Sequence, residues 1–321
     1  MKKIYSFLFL IFYSFGLLSA QPDSVIIIFG GDCTFANHFE KFVKNDFTYP
    51  FAKLDILRKA DIAMVNLENP ISKQGTIIEK EFNFRMHPDY VNILLDGGID
   101  IVTAANNHIF DYGPEALFDT MEYLDNAGIR FVGIGKNIDE ARKPVIVTVK
   151  GIKIGFLGYF GSGLWHPATK SNPGTAPRLK KFISEDVSKL KKETDFVIVN
   201  YHWGEESKEY PADYQTDIAR FTITSGADVV IGHHPHVLQG VEKYKHGYIA
   251  YSLGNFIFGG NSRNDYTSML LKIMISEKKI YPEIIPIRVI NWQPFLLEGK
   301  DREKIIEKVK KLSLIFKESI F

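Results

Sequence analysis

The chain has 321 residues, 45% of them apolar and 24% charged, and 39 Lys+Arg against 38 Asp+Glu leave a formal net charge of +1. This length and composition suit a globular protein with an ample core and exclude a disordered or collagen-like chain. The balanced charge gives no support to nucleic-acid binding through a broad basic surface, and a single cysteine excludes an internal disulfide, a thiolate-rich zinc finger and a cysteine-ligated iron–sulfur cluster.

The chain opens on Met1-Lys2-Lys3, runs apolar from Ile4 to Leu18, and ends that run in Leu18-Ser19-Ala20 before Gln21-Pro22. This is the pattern of a secretory signal peptide over residues 1–20, cut near Ala20; the apolar run is shorter than the roughly 20 residues that span a bilayer. The mature protein is therefore expected to be exported: periplasmic, on the cell surface or secreted.

From Val25 onward, short β-branched runs end abruptly in polar residues. Val25–Phe29 ends in Gly30-Gly31-Asp32, Ile62–Val65 in Asn66-Leu67-Glu68, and Ile101–Ala105 in Asn106-Asn107-His108. Phe196–Val199 ends in Asn200-Tyr201-His202, Asp228–Ile231 in Gly232-His233-His234-Pro235-His236, and Ile249–Ser252 in Leu253-Gly254-Asn255. Continuous apolar runs are what strands buried on both faces require. Helices are predicted over Asp89–Leu95, Pro114–Ala127, Ser184–Lys192 and Pro211–Ser225, and Val145–Phe156 reads as a hairpin turning at Lys150-Gly151. Strands alternating with helices imply an α/β fold with a largely parallel core. From Ser268 the texture changes to two antiparallel strands and a Lys/Glu-rich amphipathic helix, Arg302–Phe316, expected as a solvated cap. The predicted organisation is one domain over residues 24–260, with residues 261–321 completing or capping it.

Parallel α/β sheets bind ligands at the carboxyl ends of their strands. Asp32, Glu68, Asn107, His108, His202, His234 and His236 share that address. Carboxylate, amide and imidazole together suit divalent Mn, Zn or Fe. They are more than one ion needs, and two ions about 3.5–4 Å apart would acidify a water for hydrolysis, with a free imidazole to protonate the leaving group. Singly these residues have plainer readings. Asp32 is a potential helix cap, Glu68 a solvated loop carboxylate, Asn106-Asn107 a turn pair, and His108 and His202 core histidines. The cluster at 233, 234 and 236 has few structural excuses. Cys33 reads as a small buried hydrophobe, Arg85 as an anion site or a surface ion pair, and Trp165 and Trp203 as packing or groove residues. Walker A, Gly-x-Gly-x-x-Gly and Gly-x-Ser-x-Gly patterns are absent.

Taken together, Gly31-Asp32, Asn66-Leu67-Glu68, Ala105-Asn106-Asn107-His108 with Asp111, His202-Trp203-Gly204 with Glu206, Gly232 to Gly240, and Tyr251 to Phe256 resemble the capsule-synthesis CapA family, within the calcineurin-like metallophosphoesterase superfamily. The resemblance spans roughly residues 25 to 260. It implies a four-layer α-β-β-α sandwich and two divalent metal ions held by Asp32, Glu68, Asn107, His202, His234 and His236. It implies His108 in the place of the catalytic acid and His233 as a group that supports the metal ligands or faces the substrate; Asn106, Arg85 and Asn255 are further candidate substrate-binding groups. The substrate it implies is an anionic envelope polymer, poly-γ-glutamate or polysaccharide, or a phosphoester, with envelope-biosynthesis proteins as partners. Thr34 stands where the superfamily carries histidine, and Glu68 where it carries aspartate. A non-catalytic factor that binds an anionic polymer during export is the rival reading, and a mononuclear zinc amidase or deacetylase a weaker one.

Overall fold

The computed structural model describes residues 24–161, 165–258 and 265–321; the segment expected to be a signal peptide lies outside the described residues. In chain order the elements are β1 (Val25–Cys33), α1 (Glu40–Val43), β2 (Ile62–Leu67), α2 (Val91–Asp96), β3 (Ile101–Thr103), α3 (Gly113–Asn126), β4 (Arg130–Val132), β5 (Ile134–Gly135), α4 (Ile138–Ala141), β6 (Val145–Val149) and β7 (Ile152–Phe160). There follow β8 (Gly174–Thr175), α5 (Lys180–Leu190), β9 (Phe196–His202), α6 (Asp213–Thr224), β10 (Val229–His233), β11 (Val241–Tyr244), β12 (Gly247–Ala250) and β13 (Asn255–Ile257). Last come β14 (Asp265–Ser276), β15 (Lys279–Ile290), β16 (Gln293–Leu296) and α7 (Gly299–Ser313).

Two large sheets result, an eight-stranded one in the order β16-β15-β14-β1-β2-β3-β4 with β13 also paired to β1, and a six-stranded one in the order β11-β12-β10-β9-β7-β6. β1 to β4 run parallel, as do β7, β9, β10 and β12. Side-chain parity sets the layers. Ile27, Ile62, Met64, Phe156, Ile198 and Ile231 form a core between the sheets. Ile28, Ala63, Val65 and Val102 face out of the first sheet towards Ile93 and Leu94 of α2 and Leu124 of α3. Val197, Val199 and Val230 face out of the second towards α5 and α6. This is the four-layer α-β-β-α sandwich.

The hairpin at Lys150-Gly151 forms as predicted. The third predicted helix starts four residues early, at Lys180, because polar Lys180 and Lys181 carry no apolar period. β4 has three residues and no sequence signature of its own. β14 pairs along Val25–Phe29 of β1, so the C-terminal strands lie within the first sheet. α7 is more than a solvated cap: Ile305, Val309 and Leu312 join the core between the sheets and close one side of the sandwich.

Candidate metal centre

Strand parity carries the polar residues inward. Along β2, Ile62 and Met64 lie between the sheets, and Asn66 and Glu68 continue that even-numbered face; along β9, Phe196 and Ile198 are followed by Asn200 and His202. β1 would break the pattern, since its inward residues Val25, Ile27 and Phe29 are odd-numbered. A register shift between Phe29 and Asp32 corrects it. At Gly30-Gly31 the strand stops pairing with β14 and pairs with β13, which sets Asp32 opposite Asn66 on one side and Asn255 on the other. Gly31 is required there: a Cβ would stand 1.8 Å from the Gly254 carbonyl oxygen, and the Asp32 N–H donates to that same oxygen at 3.0 Å.

On the first sheet the carboxylates are knitted together. Asn66 Nδ2 donates to Asp32 Oδ1 at 2.8 Å and to Glu68 Oε2 at 3.2 Å. Asn106 Nδ2 donates to Asn66 Oδ1 and the Leu67 carbonyl, while Asn106 Oδ1 accepts from the N–H groups of His108 and Ile109. Asn106 therefore sits as an internal clamp that fixes the turn carrying Asn107 and His108. The His108 Nδ1–H donates to Asp111 Oδ2 at 2.9 Å. Lys80 pairs with Asp111 Oδ1 and donates to the Asn107 carbonyl at 2.7 Å.

The second sheet supplies imidazoles. His202 and His233 are register neighbours on β9 and β10. The turn after β10 holds His234 at φ 97° and His236 at φ 57°, a conformation that costs a non-glycine residue of order 1–3 kcal/mol and concentrates at functional sites. It brings the His234 N–H to 3.2 Å and the His236 Nδ1–H to 3.0 Å from Asp32 Oδ2. His233 Nδ1 lies 3.5 Å from Asp32 Oδ1, and the His202 Nε2–H donates to Asn107 Oδ1 at 2.7 Å.

The two sides meet at Glu68 Oε1. It is buried with no hydrogen-bond partner, and three imidazole Nε2 atoms lie near it: His202 and His236 at 3.7 Å, His108 at 4.0 Å. Burial, then the neighbouring Asp32 charge, push the Glu68 carboxyl well above the usual carboxylate range. Burial would raise Asp32 too, but the His233 and His236 imidazoles outweigh it and hold that group well below. Burial depresses His202 strongly, with His234 adding to it, and takes His234 down to about 4. Burial also lowers His108 against the opposing pull of Asp111. An unpaired buried carboxylate oxygen with imidazoles close by, those of His202 and His108 biased by burial towards the neutral form, is a donor set that a divalent cation fits. Ligand atoms of Glu68, His202 and His234, and of Asp32, Glu68 and His236, lie within 4.8 Å of one another.

Thus Asp32, Glu68, Asn107, His108, His202, His233, His234 and His236 come together. Asn255 is buried beside Asp32 with its Oδ1 unpartnered. Arg85 stands apart: it is exposed, its guanidinium 4.1 Å from the Tyr112 ring centroid. Sequence reasoning missed three contributors. Asn66 and Glu206 lay inside recognised motifs without a role, Glu206 reaching His234 and His236 from an exposed loop, and Lys80 comes from a stretch without periodicity. A cavity of about 460 Å³ opens beside the cluster, lined by Asn107, His108, His202 and His234 together with Lys80 and Arg178.

Known proteins are similar to this chain to differing degrees. Residues 26–260 match the family described as Bacterial capsule synthesis protein PGA_cap. The chain is 34% identical over 253 residues to the PGA biosynthesis protein CapA of Bacillus subtilis (strain 168), covering 77% of this chain and 64% of that one. It is 29% identical over 288 residues to the Capsule biosynthesis protein CapA of Bacillus anthracis, covering 85% of this chain and 70% of the relative. The chain thus spans about two thirds of the length of these relatives. Among solved structures, a hypothetical protein from Thermus thermophilus shares the fold at a TM-score of 0.52 and 15% identity, over 86% of this chain and 100% of that one.

Proposed function

The chain belongs to the bacterial capsule synthesis protein family, and from that membership we propose that it is an exported, divalent-metal-dependent hydrolase that acts on a capsular or cell-envelope polymer, poly-γ-glutamate or polysaccharide, or on a phosphoester. The observation that carries this reading is the unpartnered Glu68 Oε1 under three imidazole nitrogens. Asp32, Glu68 and His236 would hold one cation, and Glu68, Asn107, His202 and His234 the second, with Mn, Zn or Fe suited to this ligand set. Such ions polarise the scissile group and acidify water. His108 borders the cavity. Its Nδ1 proton is held by Asp111, so Nε2 is the free nitrogen that would take up a proton from solvent and, as the imidazolium, pass it to a leaving group; Asp111 with Lys80 fixes the ring's orientation. Export belongs to the same proposal; among the described residues no helix is long and apolar enough to cross a membrane.

One observation favours the non-catalytic reading. Thr34 is buried, its Oγ1 without a partner, and it brings no imidazole to the Asp32 side. A purified metal-replete chain separates the readings. We expect about two equivalents of divalent metal, lost together in the Asp32→Ala, His234→Ala double variant. We also expect turnover of poly-γ-glutamate, a phosphomonoester or a phosphodiester that disappears in His108→Ala while the metal stays. Bound metal without turnover of any of these assigns a binding role. An absence of metal after gentle purification overturns the metal centre itself.

A further inference from the structure

The cavity beside the cluster carries two cations that are not equivalent. Lys80 is committed to the site, bound to the Asn107 carbonyl and the Asp111 carboxylate. Arg178 has no carboxylate partner among the described residues. It is held in place by other means. Its backbone N–H donates to the Gly161 carbonyl at 2.7 Å, and its guanidinium lies 4.7 Å from the Tyr214 ring centroid. The Tyr214 hydroxyl in turn accepts from the Gly204 N–H at 2.6 Å. A half-buried guanidinium, stacked on one face and with its edge donors unclaimed, is shaped for two coplanar oxygens.

The rest of the lining selects among oxyanions. Phe82, Phe160 and Trp165 give an aromatic wall on which methylene groups pack. Glu81 and Glu206 border the same space and oppose a doubly charged phosphate about twice as strongly as a singly charged carboxylate. We infer that Arg178 is the recognition residue for a free carboxylate of an acidic polyamide, the pendant α-carboxylate in poly-γ-glutamate, whose backbone methylenes lie along the Phe82–Trp165 wall as the chain runs towards the Glu68 cluster. This rests on the reading that the cavity serves the polymer, and it adds the chemistry by which the polymer is held.

Calorimetric titration of the metal-loaded full chain with oligo-γ-glutamate, beside a second arm with inorganic phosphate, tests it. Arg178→Gln is expected to weaken oligoglutamate binding about tenfold or more, and Arg178→Lys to recover part of the loss, since the charge returns without the fork. Both variants are expected to keep their metal content, and phosphate binding to change little. Wild-type affinity for oligoglutamate in Arg178→Gln, or no binding by the wild type, overturns the assignment. So does a loss confined to the phosphate arm, which gives Arg178 to a phosphate instead. Arg178-sensitive binding without turnover overturns only the hydrolase reading; turnover with Arg178-insensitive binding overturns only this one.

Discussion

The two sheet edges that meet at the site are built by opposite means. On the first, Asp32, Asn66 and Glu68 sit on or next to strand ends whose register is set by the ladder, and amide hydrogen bonds lock them. On the second, His234 and His236 ride a turn held at positive φ, and His234 leaves its Nδ1 unpartnered. The oxygen side is preset by the fold, whereas the imidazole side stores strain and open valences that a ligand would satisfy. The contrast recurs within the oxygen side: Asp32 is surrounded by donors and held in its charged form, while Glu68 keeps one oxygen bare. A buried group with partners belongs to the folded state; one without them waits for a charge.

The sharpest way to break this comparison is Glu68→Ala. It removes the one group common to both ligand sets, so metal affinity is expected to fall more than about 100-fold for both ions, measured by elemental analysis after dialysis; retention of one ion would show that Glu68 is not shared. Gly31→Ala attacks the bulge that turns Asp32 inward. With a Cβ 1.8 Å from the Gly254 carbonyl oxygen, the chain is expected to lose about 3 kcal/mol or more of stability, read as a fall in denaturation midpoint, and an unchanged midpoint would mean the bulge is not needed. The smallest effects are the most diagnostic. In metal-free protein, Asp32→Asn is expected to cost about 2 kcal/mol by leaving its imidazole and amide donors without a charged acceptor. Glu68→Gln is expected to gain about 1 kcal/mol, because burial raises the Glu68 carboxyl and folding at neutral pH must protonate a group that is ionised in the unfolded chain. Paired urea titrations measure both, and equal signs for the two variants would erase the distinction between the carboxylates.

Much of this was legible because strands buried on both faces announce themselves as β-branched runs. The α/β alternation, the hairpin at Lys150-Gly151 and the shared strand-end address of Asp32, Glu68, His108 and His202 all follow from that. Periodicity fails where a segment is too short to show a period, as at β4, or has none, as in the stretch that carries Lys80. It also says nothing about what a long-range partner does with a polar side chain. Asn106 reads as a turn residue and sits as a clamp between Asn66 and the His108 backbone; Arg85 reads as an anion site or a surface ion pair, and its guanidinium lies over the Tyr112 ring.

The residues themselves determined which chemical groups stand at the strand ends and that buried parallel strands alternate with helices, because side-chain alternation and apolar content are local properties. Only the assembled fold decided which groups face each other. The Gly30-Gly31 bulge inverts the parity of Asp32, the β10 turn bends two histidines back over it, and β14 inserts beside β1 from more than two hundred residues away. Each depends on contacts between distant segments, where a backbone carbonyl such as that of Gly254 sets what a side chain can do, and no window of neighbouring residues contains that information.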